Sequence, residues 1–102
     1  MPLTISRLTR EYIFSDLVTD DDLAGATAEA TFQDPDVIPE EVDWETADLV
    51  SDNGEWSVRI LVGPGGTIEL TAQEYPHDFQ MWIRITDNPE RPVRRPGIVT
   101  VD

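Results

Sequence analysis

The chain of 102 residues contains no cysteine and no lysine, and it has a single histidine. Without cysteine there are no disulfides, no thiolate nucleophile and no zinc site with thiolate ligands. Without lysine there is no Walker-type phosphate loop and no Schiff-base chemistry. No run of about 18 apolar residues occurs, and no charged start leads into an apolar stretch, so we expect neither a transmembrane helix nor a secretory signal.

Negative charge is concentrated in the middle of the chain. The formal net charge is −14, and residues 16–55 carry all of it, with 14 acidic residues and no basic one. Outside this acidic middle, seven arginines balance seven acidic residues, and Arg91, Arg94 and Arg95 lie close together. The acidic middle repels phosphate groups, so we expect no direct binding to nucleic acid. A basic end beside an acidic middle favours contact with partners of opposite charge or with other copies of the chain.

Alternation of apolar and polar residues predicts an all-β protein. In residues 26–32 the apolar side chains fall on every second position, and the same pattern recurs in residues 56–62 and 79–86. This period of two is typical of strands with one buried face. The strands predicted in this way span residues 9–18, 26–32, 49–52, 55–62, 67–72, 79–86 and 97–101.

The predicted turns have the residues that reversals of the chain require. Asn53-Gly54 is a strong signal for a two-residue hairpin. The Gly-Pro-Gly-Gly run at residues 63–66 predicts a second hairpin, because glycine supplies the positive φ angles of a tight turn. Pro89 ends the strand before it, and Arg94-Arg95-Pro96 predicts a bend before the last strand.

Residues 34–48 do not continue the strand pattern. Pro35 and Pro39 interrupt any ladder because proline cannot donate a backbone hydrogen bond. Pro39 followed by Glu40 and Glu41 suits the first turn of a short helix. We therefore predict a long acidic loop that holds one or two helical turns at most.

Seven short strands in a chain of this length predict one domain, residues 1–102, with an immunoglobulin-like antiparallel β-sandwich fold. Tyr75 lies just before the strand at residues 79–86. Its position resembles the tyrosine corner of immunoglobulin-like domains.

Few residues are of a type and in a pattern that suggest catalysis or metal binding. His77 lies beside Asp78 in a turn, but a general base needs a group to activate, and no Gly-x-Ser-x-Gly motif occurs. The acidic residues at 20–22 and at Asp34 and Asp36 are of the type that binds Ca²⁺, but the spacing of an EF-hand is absent. We therefore expect that the protein is not an enzyme and that it binds neither a cofactor nor a metal. A small hydrolase or metal-dependent enzyme is kept as a third hypothesis, after the two that are given below.

Two tryptophans lie where a large aromatic side chain is unexpected. Trp82 falls on the polar face of its strand, and Trp44 falls in the acidic loop. Trp82 either stacks under an arginine, is covered by a loop or anchors a protein interface, where tryptophan and arginine are over-represented. These three alternatives remain open at the level of sequence.

The stretches MWIRITDNPERPV at residues 81–93 and PGIVTV at residues 96–101 resemble the end of a family of small immunoglobulin-like virion proteins. That family is encoded by tailed bacteriophages and prophages of G+C-rich actinobacteria. LVGPGG at residues 61–66 and Asp43-Trp44 are also similar to it, so the resemblance covers about half of the chain. It implies a structural protein of the virion, made in the host cytoplasm and present in many symmetric copies.

The first hypothesis is therefore a non-enzymatic virion protein that binds the major capsid protein, the head–tail connector or a tail protein, with further copies of itself as another partner. No membrane contact is expected. The residues predicted to meet the partner are Trp44, Trp82, Arg84, Arg91, Arg94 and Arg95. The second hypothesis is a module that binds carbohydrate or a host surface through Trp44 and Trp82.

Overall fold

The computed structural model describes residues 3–17, 23–86 and 91–102. Within these ranges the chain forms seven strands and one short 3-10 helix, with no α-helix. The strands are β1 (Leu3–Ile5), β2 (Glu11–Leu17), β3 (Thr27–Gln33), β4 (Glu45–Asp52), β5 (Glu55–Val62), β6 (His77–Thr86) and β7 (Val93–Val101). The predicted turn around Pro89 lies outside the described residues.

The strands form one curled sheet in the order β1-β7-β6-β3-β4-β5-β2. β4 belongs to both halves, because residues 45–47 pair with β3 and residues 48–52 pair with β5. We call β1, β7, β6, β3 and the start of β4 the first sheet, and β2, β5 and the end of β4 the second sheet. β1 runs parallel to β7 and the other pairs are antiparallel. Two sheets grouped in this way are consistent with a β-sandwich, so the predicted all-β sandwich fold class is confirmed, except that the β1–β7 pair is parallel and not antiparallel.

The core lies between the inner faces of the two sheets. The rows predicted to point inward are buried at Ala28, Ala30 and Phe32, at Val58, Ile60 and Val62, and at Phe79, Met81, Ile83 and Ile85. β2 contributes Ile13, and β7 contributes Val99 and Val101. Burial of each of these larger apolar side chains stabilises the fold by roughly 1.5–3 kcal/mol, against the entropy lost when the chain becomes ordered.

The two predicted hairpins have different outcomes. β4 and β5 join through Asn53 and Gly54, both with positive φ, as predicted. Residues 67–72, however, do not form the predicted strand. The Leu61 carbonyl oxygen accepts hydrogen bonds from the N–H groups of Thr67 and Ile68, and only a parallel bridge joins Ile68 to β5. This segment connects the second sheet to the first across one end of the sandwich, so its alternating apolar residues cap the core instead of joining a ladder.

The end of this connection has the geometry of a tyrosine corner. The hydroxyl oxygen of Tyr75 accepts a hydrogen bond of 3.1 Å from the backbone N–H of Ala72. The ring of Tyr75 packs against the core, and Arg7 lies over it at 4.7 Å from the ring centroid. The prediction of this feature from the position of Tyr75 is confirmed.

β7 begins at Val93, four residues before its predicted start. Met81 pairs with Gly97 and Ile83 pairs with Arg94, so Trp82 faces two residues of β7, Arg95 and Pro96. This is a β-bulge. A bulge accepts proline because the extra residue does not need to donate to the ladder, and the expected bend at residues 94–96 is therefore part of the strand.

The long acidic loop spans residues 34–44. It contains a 3-10 helix at Glu41–Asp43, within the one or two helical turns that were predicted at most. Asp43 closes this turn, since its Oδ2 accepts a hydrogen bond of 2.8 Å from the Glu40 N–H. Residues 45–48, which were expected to extend the loop, belong to β4.

Candidate functional surface

The outer face of the first sheet carries most of the residues predicted to bind a partner. In β6, Ile83 and Ile85 point into the core, so the side chains of Trp82 and Arg84 point outward. The register places Glu29 of β3 beside Arg84, with Val93 of β7 on its other side. The 34–44 loop lies over this part of the face.

Arg84 is the centre of an ion-pair cluster and is only 5% exposed. Its Nη2 and Nε donate to Glu29 Oε1 at 2.7 and 3.0 Å. Its Nη1 and Nη2 donate to the two carboxylate oxygens of Glu41 at 2.8 and 3.2 Å. Trp44 packs against the same guanidinium, 4.5 Å from ring centroid to Cζ, and Arg91 donates to Glu41 at 3.1 Å. We call Glu29, Glu41, Trp44, Arg84 and Arg91 the Arg84 cluster.

The electrostatics of the Arg84 cluster favour its charged form. The hydrogen bonds from Arg84 hold the pKa of Glu41 below its ordinary value, and the charge of Arg91 adds to this effect. In return, the hydrogen bonds to Glu41 and Glu29 raise the pKa of Arg84 despite its burial. A buried arginine needs such partners, because an unpaired charge away from water is costly.

Trp82 and Arg95 form a second group on the same face. The Arg95 guanidinium lies over the Trp82 indole, 5.3 Å from the ring centroid. Within the described ranges, the buried Nε1 of Trp82 has no hydrogen-bond acceptor. Of the three alternatives for Trp82, stacking under an arginine is therefore the arrangement that the structure contains.

The predicted interface residues thus fall into three groups in the structure. Trp44, Arg84 and Arg91 meet in the Arg84 cluster, and Trp82 meets Arg95. Arg94 pairs with Ile83, whose side chain points inward, so Arg94 does not share the face of Arg95. Arg94 is exposed, and its Nη1 donates a hydrogen bond of 3.2 Å to the Val93 carbonyl oxygen. Arg84 is committed to two carboxylates of its own chain, and its role here is to hold the 34–44 loop on the sheet.

His77 contacts one of the acidic residues singled out in the sequence. His77 Nε2 lies 2.6 Å from Asp34 Oδ1 in an exposed pair that joins the start of the 34–44 loop to β6. No group of three potential metal ligands occurs in the part of the chain that the structure describes, where Asp34 and Asp36 both lie. Residues 20–22, the other predicted acidic group, are outside it.

The outer face of the second sheet carries an exposed aromatic pair. In β2, Ile13 and Ser15 point inward, so Tyr12 and Phe14 point outward and are 45% and 47% exposed. Their ring centroids are 6.4 Å apart, and Arg59 of β5 lies over Tyr12 at 4.7 Å while it pairs with Asp48 at 3.0 Å. This pair was not predicted from the sequence. The alternation of Tyr12 and Phe14 with Ile13 was the signal that could have found it.

Comparison with protein-family models, curated proteins and solved structures found no match. Among the described residues, no helix is long and apolar enough to cross a membrane.

Proposed function

We propose that the protein is a non-enzymatic structural component of a tailed-phage virion that binds another virion protein through the outer face of its first sheet. The observation that carries a protein-binding role is the stacked pair of Trp82 and Arg95 on that face. Tryptophan and arginine dominate the energetically important positions of protein interfaces. The assignment to a virion rests on the resemblance of residues 81–101, and the major capsid protein, the connector and tail proteins are the candidate partners.

The Arg84 cluster supports this role by fixing the shape of the face before a partner arrives. Arg84 holds the 34–44 loop against the sheet through Glu41, and Trp44 covers its guanidinium. Little side-chain freedom is then lost on binding, which lowers the entropic cost of association. Arg91 and Arg95 remain exposed at the border and suit carboxylates on the partner. Repetition of this contact by the symmetry of the particle would place many copies on its surface.

The geometry favours protein over carbohydrate as the ligand of this face. A sugar ring stacks on a free aromatic face, but Trp44 and Trp82 each have an arginine over one face of the indole. Trp44 is in addition part of the Arg84 cluster. We therefore retain carbohydrate binding only as an outcome of the test below.

The proposal is tested by charge reversal at Arg95, followed by mass spectrometry of purified particles. We expect Arg95→Glu to lower the copy number at least tenfold, because it removes the stacked cation and repels acidic groups of the partner (a loss of roughly 1.4 kcal/mol or more). Arg7→Glu is the matched control. It changes the charge equally, and Arg7 lies near the other end of β7, where its backbone N–H donates a hydrogen bond to the Asp102 carbonyl oxygen.

Three results would contradict the proposal. The protein could be absent from particles altogether, or Arg95→Glu could be incorporated as well as the wild type. Binding to a glycan array that is lost on Trp82→Ala would instead support the carbohydrate hypothesis.

A further inference from the structure

The β4–β5 hairpin ends in a turn that is open to water. Asn53 and Gly54 have φ angles of 53° and 79°, which match a type I′ turn. Residues 51–55 are all exposed, and nothing lies within 4 Å of a Cβ added at Gly54. The turn therefore has free space around its glycine and is accessible to solvent.

The order of these two residues places a reactive pair of groups side by side. The Gly54 backbone nitrogen can form a five-membered ring with the side-chain carbon Cγ of Asn53, and glycine has no side chain to hinder this approach. Asparagine is accordingly among the thermally labile residues of proteins. The chain has one other asparagine, Asn88, outside the described residues, and it precedes Pro89, which has no N–H. Asn53 is thus the one asparagine that can react in this way.

We propose that Asn53 is a site of spontaneous modification, at which the folded protein loses the side-chain amide as ammonia and gains isoaspartate or aspartate. Hydroxide removes the N–H proton of Gly54, and the nitrogen attacks Cγ of Asn53. The new N–Cγ bond replaces the Cγ–Nδ2 bond, and ammonia leaves. Water then opens the succinimide ring. Opening at Cγ gives aspartate, and opening at the backbone carbonyl carbon gives isoaspartate.

The end of the hairpin can open without unfolding of the sandwich. Ring closure requires a rotation of the Asn53 backbone that a closed type I′ turn blocks, so the turn has to open first. Asp52 and Glu55 form the last pair of the β4–β5 ladder. Like charges directly opposite each other weaken strand pairing, so this pair holds the turn less firmly than a neutral pair would. Local opening at an exposed tip costs much less free energy than global unfolding.

Both products change the tip of the hairpin. Aspartate places a third carboxylate between Asp52 and Glu55 and adds one negative charge to a chain whose net charge is already −14. Isoaspartate routes the main chain through the side chain and lengthens it by a methylene group. The two-residue turn then no longer fits the register of the ladder. The hairpin belongs to the second sheet, so this inference does not rest on the function proposed for the first.

The test is incubation of the purified full chain at neutral and mildly alkaline pH, followed by peptide mapping with mass spectrometry. Asn53 should lose its amide, with isoaspartate as the larger product, and the rate should rise with hydroxide concentration. Asn88 should keep its amide. The same chain unfolded in urea gives the reference rate for a turn that is always open.

Asn53→Gly is the matched control variant. It removes the side-chain amide, and Gly-Gly also favours a type I′ turn, so the hairpin is kept. An enzyme that methylates only isoaspartate should label the incubated wild type and leave this variant unlabelled. The comparison separates reaction at Asn53 from isomerisation of aspartates elsewhere in the chain.

The rate in the folded protein decides whether local opening suffices. If global unfolding were required, this rate would equal the reference rate multiplied by the fraction of unfolded chain, which urea denaturation measures and which is about 10⁻⁴ or less for an ordinary domain. We expect a rate well above that product, within about a hundredfold of the reference. A rate no higher than the product would overturn the proposal. So would equal loss of the amide at Asn88, or equal labelling of Asn53→Gly and the wild type.

Discussion

The two outer faces of the sandwich differ in how far their side chains are paired within the chain. On the first sheet, Arg84 is buried and its charge is neutralised by the carboxylates of Glu29 and Glu41, of which Glu41 lies in the 34–44 loop. On the second sheet, Tyr12 and Phe14 are exposed, and the Arg59–Asp48 ion pair beside them is open to water.

The difference follows from the cost of leaving each kind of group unpaired. A buried guanidinium without partners is strongly destabilising, so the chain has to supply its own counter-ions for Arg84. An exposed aromatic pair costs the monomer little and represents apolar area that an incoming protein can cover. The first face is therefore preorganised by internal contacts, whereas the second leaves an aromatic pair exposed.

The largest effect is expected at Gly63, where the second sheet depends on close backbone packing. In Gly63→Ala the new Cβ would overlap the Thr9 carbonyl oxygen and lie 2.8 Å from the Cα of Arg10, at a φ of 122° that disfavours a side chain. Overpacking and backbone strain together should lower the free energy of unfolding by about 4 kcal/mol. Urea denaturation would measure this.

Gly54→Ala is the control for the effect of φ alone. Gly54 also has positive φ, but nothing lies within 4 Å of a Cβ added there. This variant should cost only about 1 kcal/mol. Equal losses at the two glycines would show that the close approach to β2 is not what holds the second sheet.

The next largest effect is expected at Arg84, where the first face depends on charge. Arg84→Met leaves Glu29 and Glu41 without their main partner. It should lower the free energy of unfolding by about 2–3 kcal/mol, less than for a fully buried pair, because both carboxylates keep contact with water. Proteolysis within residues 34–44 should also become faster, because the loop is no longer tied to the sheet.

The matched variant on the second face is Arg59→Met. Arg59 and Asp48 form an ion pair whose side chains are both well exposed, and such pairs contribute less than about 1 kcal/mol. If Arg59→Met were as destabilising as Arg84→Met, the contrast between the two faces would not hold.

The sequence predicted the features that depend on neighbouring residues. The alternation in β3, β5 and β6 identified the buried rows, because side chains of a strand point to opposite faces in turn. Asn53-Gly54 identified its hairpin because both residues tolerate positive φ. The same alternation misled at residues 67–72, since it shows that a segment has an apolar side but not whether a partner strand is available.

The features that could not be predicted from the sequence depend on contacts between residues that are far apart in the chain. Alternation correctly placed Arg84 on the outer face, but its partner Glu41 is 43 residues away and reaches it only through the path of the 34–44 loop. Burial of Arg84 therefore could not be predicted. Arg94 and Arg95 are adjacent in sequence, yet the strand directs them to different sides, which a bend at these residues would not have required.

The smallest effect, and the sharpest test of the charge on the first face, is the pH dependence at Glu41. Hydrogen bonds from Arg84 lower the pKa of Glu41 in the folded state. A carboxyl group whose pKa is lower in the folded than in the unfolded state stabilises the fold at pH values above its ordinary pKa. This stabilisation is lost as the pH falls through the pKa of the folded state. Arg84 stays charged over this range, so the pH dependence of the Arg84–Glu41 pair comes from the Glu41 carboxylate.

We therefore expect Glu41→Gln to be less stable than the wild type at pH 7, by less than Arg84→Met. The gap should shrink as the pH falls below 4.5, the ordinary pKa of the group, because the wild type then loses the same charge. Urea denaturation at a series of pH values would measure the gap. Glu55→Gln, at an exposed site in β5, removes an equal charge and is the control, for which we expect a smaller loss of stability at pH 7. A constant gap for Glu41→Gln would mean that Arg84 is neutralised mainly by Glu29, and that the loop is held by packing of Trp44 rather than by charge.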